Sequence, residues 1–302
     1  MAKPRYILVV SHVGETDALD ASALVCRRLA EAGVTPVLRD VERDALAATI
    51  TDLPETAVLE NDVPIAEIEA AIVVGGDGTI LRAAEVLRGA SAPLIGINLG
   101  HVGFLAESER DSLEATVDGV LAKKYDVDDR LALEVRVKVG GTVVHETWAL
   151  NEATIEKAGR ERMLDVVLEV DRRPLTSFGC DGIIIATPTG STAYAMSAGG
   201  PIVWPSVDAF IVVPMSAHAL FSRPLVVGAD SVVAVELLQR SSGLGVLWCD
   251  GRRTFDLPEN ARVIVKKSAA PVRLARLHEA LFTDRLVEKF DLPVHGWRGP
   301  AD

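Results

Sequence analysis

Ala70-Ala71-Ile72-Val73-Val74-Gly75-Gly76-Asp77-Gly78-Thr79-Ile80-Leu81-Arg82 is the stretch on which the fold turns. An apolar run rich in β-branched residues reads as a buried strand. Three glycines then surround one aspartate, and helical spacing begins at Thr79. Glycine lets the backbone turn sharply and leaves N–H groups uncovered, and a helix start adds partial positive charge, so the turn suits phosphate. A bare phosphate cradle gains nothing from a carboxylate at its centre. Asp77 therefore points to a divalent metal, or to a hydroxyl about to attack phosphorus. The plain alternative is an ordinary strand-to-helix turn capped by Asp77 or Thr79. Leu81 follows Gly76-x-Gly78 where a dinucleotide fingerprint needs its third glycine, and the next strand ends in Asn98 rather than an acid. No Gly-x-x-x-x-Gly-Lys-Ser/Thr loop occurs in the chain.

Upstream and just downstream, strand and helix alternate. Tyr6 to Val10 reads as a strand, Ala18 to Ala32 as a helix stopped by Gly33, and Val37-Leu38 as a second strand. Ala47 to Pro64 has weak periodicity and reads as a loop or short helix. The Ile72 strand, the Thr79 helix and the strand Leu94 to Asn98 follow, and then a helix from Asp111 to Lys124. Such alternation predicts an α/β domain with a parallel, Rossmann-like sheet and right-handed crossovers. Ligands then belong at the carboxyl ends of the strands, where Gly75 to Thr79 and Asn98 to Phe104 fall.

From Leu131 the texture changes. Leu131, Leu133, Val135, Val137 and Val139 alternate with polar residues up to Gly140-Gly141, which marks a hairpin. Further short β runs come at Met163 to Val170, Gly182 to Ala186, Ala209 to Val213, Val232 to Leu238, Gly245 to Trp248, Val263 to Val265 and Val272 to Leu277. Asp171-Arg172, Ser241-Ser242-Gly243 and Asp250-Gly251 supply turns between them. The pattern predicts a first domain over 1–125, joined by the tail 278–302, and a mostly β second domain over 126–277. Phe282 to Phe290 returns to helical spacing, a C-terminal helix expected to pack on the first domain.

The 302 residues carry a formal charge of −12, which argues against nucleic-acid or anionic-membrane partners. Cys26, Cys180 and Cys249 are far apart with no metal-ligand spacing, which suits a reducing compartment. The apolar run Ile7-Leu8-Val9-Val10 is too short for the core of a secretory leader and lacks a cleavage site, and no run approaches a membrane span. A cytoplasmic protein is expected.

Two further constellations carry chemistry. Cys180-Asp181-Gly182 opens a strand that ends in Thr187-Pro188-Thr189-Gly190-Ser191-Thr192-Ala193-Tyr194-Ala195-Met196-Ser197-Ala198-Gly199-Gly200-Pro201. Clustered hydroxyls and free N–H groups near a helix start at Ser191 suit ribose, amide or phosphate, with Tyr194 as a stacking or hydrogen-bonding surface. Helix capping by Thr189 or Ser191, with the rest packed internally, is the competing account. Leu150-Asn151-Glu152 offers the donors and acceptors that grip an adenine amine or a ribose diol, and also fits a common turn.

Together, Gly75-Gly76-Asp77-Gly78-Thr79, Asn151-Glu152 and Asp181-Gly182 through Gly199-Gly200-Pro201 resemble, in order and spacing, the signatures of the NAD kinase family. Asn98-Leu99-Gly100-His101-Val102-Gly103-Phe104-Leu105 and His218-x-Leu220-x-x-Arg223-Pro224-Leu225 match lesser ones. The resemblance implies transfer of a phosphoryl group from ATP or polyphosphate to the adenosine ribose 2′-hydroxyl of NAD, with Mg2+ as the divalent ion. It implies Asp77 as general base or metal-orienting group, beside the phosphate turn of Gly75, Gly76 and Thr79. It places Gly78, Arg82, Phe104, Asn151, Glu152, Arg162, Thr189, Thr192, Ala193, Tyr194 and Ser197 around NAD. It further implies a homodimer or homotetramer in which Asp181 reaches a neighbouring subunit's NAD. Gly179 stands where many relatives carry a basic residue, and the glycine-bearing branch tends to accept NADH too. His101 and His218 receive no catalytic role. A lipid or sugar kinase shares the glycine turn but leaves Thr189 to Gly200 unexplained, and a non-catalytic NAD(P) sensor would not need Asp77.

Overall fold

The computed structural model describes residues 3–100, 103–106, 108–109, 112–159, 163–238, 245–277 and 281–294, so His101 and Arg162 lie outside the described residues. The chain divides into two compact units, Met1–Asp129 with Val272–Asp302, and Arg130–Pro271.

The first unit is built on one sheet. Its strands run in the order Ala57–Val58, Thr35–Leu38, Tyr6–Ser11, Ala70–Val74, Leu94–Asn98, Val272–Arg276, Asp126–Arg130, with Ser108–Glu109 beside Leu94–Asn98. The pairs from Ala57–Val58 across to Val272–Arg276 are parallel. Every residue of Ala70–Val74 is buried, as expected of a central parallel strand covered on both faces. Ile72 and Val74 face a cluster with Leu19, Val25, Leu29 and Val117, drawn from the helices Thr16–Glu31 and Leu113–Leu121. The chain leaves Tyr6–Ser11 toward one side of the sheet and returns to Ala70–Val74 on the other. That reversal, with Ser11 level with Val74, is a topological switch point.

Several boundaries differ from the pattern reading. The expected loop from Ala47 begins inside a helix, Asp40–Thr49, whose buried side chains are only Glu42 and Leu46, too thin a stripe to show as periodicity. Glu42 is buried because Arg39 grips it with Nε at 2.8 Å. The helix expected over Asp111 to Lys124 is shorter, at Leu113–Leu121. Val272–Arg276 reads like the β runs before it, yet it pairs with Leu94–Asn98 in the first sheet, a placement no local pattern reveals. The C-terminal helix Phe282–Phe290 packs on this unit. The Phe104 ring lies 5.9 Å from that of Phe282 and 6.0 Å from that of Phe290, and Arg285 donates to the carbonyls of Phe104 and Ala106.

The second unit holds two six-stranded antiparallel sheets. One runs Leu225–Gly228, Ala209–Met215, Gly182–Ala186, Glu152–Lys157, Gly245–Cys249, Arg253–Leu257. The other runs Arg173–Cys180, Leu164–Val170, Val233–Leu237, Arg262–Lys267, Leu133–Val139, Thr142–Ala149. They share one core, with Ile155, Ile183, Phe210 and Leu247 meeting Val135, Val166, Val235 and Val263. The outer face of the first sheet is covered in part by Ala195 and Val203, which pack on Ile184, Ala186, Ile211 and Val213. Glu152–Lys157 is thus buried on both faces over its first four residues, which erases the period of two that would have marked it in sequence.

Candidate active site

In the first unit, Gly75 takes φ 143, and a side chain there would bring its Cβ within 2.7 Å of Thr79 Oγ1. Only glycine lets Thr79 tuck under the turn, where it is buried. The helix starts at Asp77, two residues earlier than its spacing suggests, with Gly76 as N-cap and no side-chain cap bond. Neither Asp77 nor Thr79 therefore caps it. Instead, the Asp77 carboxylate reaches back over the turn. Its Oδ2 accepts the Phe104 N–H at 3.0 Å and its Oδ1 the Leu105 N–H at 3.1 Å. Gly103 allows this approach, because a Cβ on it would lie 3.1 Å from Asp77 Cγ. Gly76 and Gly78 are exposed, and the Gly76 carbonyl takes up the Thr79 N–H at 2.9 Å and the Ile80 N–H at 3.2 Å, which leaves the N–H groups of Asp77 and Gly78 at the tip of the turn. Arg82 is half-buried one turn further and has no ion-pair partner among the described residues. Phe104 keeps its backbone on Asp77 while its ring joins the aromatic cluster of the C-terminal helix.

In the second unit, the structure brings Asn151, Glu152 and the Thr187 to Ser197 segment together. The Thr187 hydroxyl donates to the Leu150 carbonyl at 2.6 Å, and its N–H to the Asn151 carbonyl at 2.9 Å. The expected helix at Ser191 is two pieces, a 3-10 turn Thr189–Thr192 and a four-residue helix Tyr194–Ser197, too short to act as a phosphate-binding dipole. Ser191 is spent internally, bonded through Oγ to both the N–H and the carbonyl of Val203. The buried Thr189 carbonyl likewise accepts from the Thr192 hydroxyl at 3.4 Å. Tyr194 and Ser197 are exposed, and Asn151, Thr192 and Ala193 are half-buried, so these remain available to a ligand.

Glu152 is buried beside a second buried carboxylate, Asp250, and its Oε2 has no hydrogen-bond partner among the described residues. Burial first, then the Asp250 charge, push its pKa from 4.5 up to about 8, against a backbone N–H bond from Tyr194. Asp250 is itself raised by burial, opposed by N–H bonds from Leu150 and Asn151 and by Arg253. Sequence reading took Asp250-Gly251 as a turn and missed the carboxylate. The available signal was Arg253 three residues on, an i,i+3 partner for a buried acid. Asp181, in contrast, is partly exposed and pulled down by a 2.5 Å ion pair with Lys157. A Cβ at Gly179 would be in ordinary contact with Met163, its Cε at 3.4 Å, and with Asp165 Oδ1 at 3.7 Å.

A folded-state pKa above the unfolded one makes a carboxyl destabilising once the unfolded chain has released its proton. Between about pH 4.5 and pH 8 the native state holds a proton on Glu152 that the unfolded state has lost, so unfolding free energy falls as pH rises. Glu152→Gln lacks this loss. Urea unfolding from pH 5 to pH 9 should show the variant gaining on the native protein by an amount on the order of a few kcal/mol. Parallel pH curves would show that Glu152 ionises normally.

A glycine turn that aims a carboxylate at the switch point of a parallel sheet is the equipment of a phosphotransferase rather than of a nucleotide carrier. Known proteins agree. Residues 7–125 match the model of the ATP-NAD kinase N-terminal domain, and residues 150–277 that of the ATP-NAD kinase C-terminal domain. The NAD kinase of Leifsonia xyli is 65% identical over 300 residues, covering 99% of each chain. NAD kinase 2 of Streptomyces coelicolor is 53% identical, covering 98% of this chain and 97% of its own. Among solved structures, yeast NADH kinase complexed with NADH superposes with a TM-score of 0.86 at 20% identity, covering 97% of this chain and 89% of the other. An NAD kinase from Archaeoglobus fulgidus in complex with ATP superposes at 0.70 and 24% identity, covering 96% and 100%. At those identities the two structures speak for the fold. The chain belongs to the NAD kinase family, and it is a kinase.

Proposed function

We infer that the protein transfers the γ-phosphoryl group of ATP to the 2′-hydroxyl of the adenosine ribose of NAD, giving NADP and ADP. The observation that carries this reading is the placement of Asp77. It is the first residue of its helix at the carboxyl end of a buried central strand, with its carboxylate fixed by two backbone N–H bonds rather than spent on a cation or a cap. Each carboxylate oxygen keeps a lone pair for the 2′-hydroxyl. Asp77 orients that hydroxyl and receives its proton as the ribose oxygen bonds to the γ-phosphorus. The bond from phosphorus to the bridging oxygen breaks, and ADP leaves. Phosphoryl transfer passes through a loose transition state, so orientation and charge neutralisation outweigh base strength. The N–H groups of Asp77 and Gly78 at the helix start, with Arg82, supply positive character for phosphate oxygens. Asn151 and Glu152, with Thr189, Thr192, Ala193, Tyr194 and Ser197, hold the NAD side.

A divalent ion is part of this reading. Among the described residues there is no group of three or more His, Cys, Asp or Glu side chains placed to hold a metal. That fits Mg2+, which usually travels on the donor's phosphates with one or two protein carboxylates, and Asp77 is the carboxylate of this turn. When bound it would neutralise charge on the transferring group.

Polyphosphate is a second donor and NADH a second acceptor in this reading, which the glycine at 179, in place of the basic residue many relatives carry, supports. Cytoplasmic residence suits three buried free thiols. Assembly into a homodimer or homotetramer suits the exposed Trp204, Leu220 and Phe221, and leaves the part-exposed Asp181 for a neighbouring subunit. The purified protein with Mg2+ and ATP should convert NAD to NADP, and NADH to NADPH, in separate assays. Binding of NAD without product would make it a sensor, and an NADH assay without product would end the inference from Gly179.

A further inference from the structure

We propose that Asp250 is the positioning residue that sets Asn151 and Glu152 for the nucleotide, an inference that rests on the assignment of those two residues to the NAD site. Asp250 follows the strand Gly245–Cys249 in a left-handed conformation, φ 55, which an Asp tolerates better than most residues. Its carboxylate is buried, 6% exposed, and is aimed at the entry of the neighbouring strand. There it gathers consecutive amides. The Leu150 N–H lies 3.0 Å from both oxygens, the Asn151 N–H donates to Oδ1 at 2.7 Å, and the Glu152 N–H reaches Oδ1 at 3.4 Å. The Asp250 N–H returns a bond to the Glu152 carbonyl at 3.0 Å.

Three amides converging on one carboxylate fix the backbone of the Leu150-Asn151-Glu152 turn far more tightly than a ladder bond would. Thr187 holds the same turn by its carbonyls from the other side. Behind Asp250, Arg253 Nη2 donates to Oδ2 at 2.8 Å and to the Trp148 carbonyl at 2.8 Å, with its guanidinium 4.6 Å over the Trp148 ring. The acid is thus locked from behind and directed forward. A second buried carboxylate next to Glu152 raises the cost of burial for both, so this arrangement is a poor device for stability and a good one for fixing a geometry. The Asp250 carboxylate spends its hydrogen bonds on this turn and on Arg253. Its effect on the nucleotide passes through the directions in which the Asn151 and Glu152 side chains leave a fixed backbone.

The test is Asp250→Asn in the full chain. Asn preserves shape but offers one acceptor oxygen in place of two and no charge. The KM for NAD should rise about tenfold or more while the KM for ATP stays within twofold. The pH midpoint of the NAD KM should also move down. Burial first, and then the Asp250 charge with Arg253 behind it, hold the proton on Glu152 against the Tyr194 N–H, and the variant removes the Asp250 charge while leaving the burial. A folded variant with an unchanged NAD KM and an unmoved midpoint overturns the proposal. Amide hydrogen exchange on the native protein reads the positioning with no nucleotide at all, and stands even if the variant does not fold. Leu150 and Asn151 should exchange at least ~100-fold slower than free amides, in line with the core of the strand that follows. Free exchange at both refutes the proposal whether or not NAD is the acceptor, and slow exchange in a protein that ignores NAD refutes only the assignment of the nucleotide.

Discussion

Asp77→Asn should lower turnover at least ~100-fold with NAD affinity nearly unchanged, the size of contribution a positioned proton acceptor makes. The structure sharpens what such a result would mean. The native carboxylate accepts one N–H on each oxygen, from Phe104 and Leu105. An amide keeps one acceptor and turns an NH2 toward the other backbone donor, so the loop at 103–105 loses one bond and gains a donor facing a donor. That local cost is about 1–3 kcal/mol and would show in thermal unfolding of the variant. It acts in the first unit, whereas Asn151, Glu152 and Tyr194 belong to the second, so NAD titration should report an intact site. Single-turnover kinetics at saturating NAD and ATP, beside calorimetric NAD binding, separate the two effects. Turnover within fivefold of native would remove Asp77 from the chemistry and leave it as a loop anchor.

Gly190→Ala carries the other large effect. A Cβ at Gly190 would lie 2.8 Å from the Asn151 Cα and closer still to its carbonyl, all backbone atoms that cannot swing aside. The Asn151 carbonyl already accepts the Thr187 N–H, and the Gly190 N–H donates to Thr187 Oγ1 at 3.1 Å, so the two segments are stitched together at this point. One methyl must push the Asn151 turn away and break that stitching. The expected outcome is a stability loss of roughly 3 kcal/mol or more by urea unfolding, with NAD binding lost. Gly228→Ala is the matched control, because a Cβ there meets nothing within 4 Å, and its effect should stay within about 0.5 kcal/mol. Equal stability in the two variants would show that the turn is more pliable than its contacts imply.

Much of this was legible in the chain itself. Ala70 to Val74 announced a central strand because both its faces are covered and every residue is apolar, and Gly182 to Ala186 announced another for the same reason. Alternation exposed the hairpin around Gly140-Gly141, where one face of Leu133–Val139 is core and the other faces outward. The helix Asp40–Thr49 stayed hidden because it buries two side chains, one of them an ion-paired acid. The strands Arg173–Cys180 and Arg253–Leu257 stayed hidden because they sit at sheet edges and are largely polar and exposed. The site followed the same logic. Asp77 stood out among glycines, but its partners lie 27 and 28 residues away, and nothing local shows that a loop returns to hold it. Asp250 lies about a hundred residues from the turn it organises. Long-range hydrogen bonds to backbone leave no periodic trace, and the positioning groups of a site are made of such bonds.

The first unit is written in two pieces, 1–129 and 272–302, around a second unit that is one unbroken segment. On the ribosome that order matters. The inner segment emerges whole and has all its strands in hand before the outer one can close. Until Val272–Arg276 arrives, the sheet has a missing plank between Leu94–Asn98 and Asp126–Arg130. The helix that clasps Phe104, whose N–H in turn steadies Asp77, is made later still. A chain that ends before Val272 lacks both the strand that completes this sheet and the helix that holds the Phe104 ring, so the support of Asp77 is among the last parts of the molecule to form.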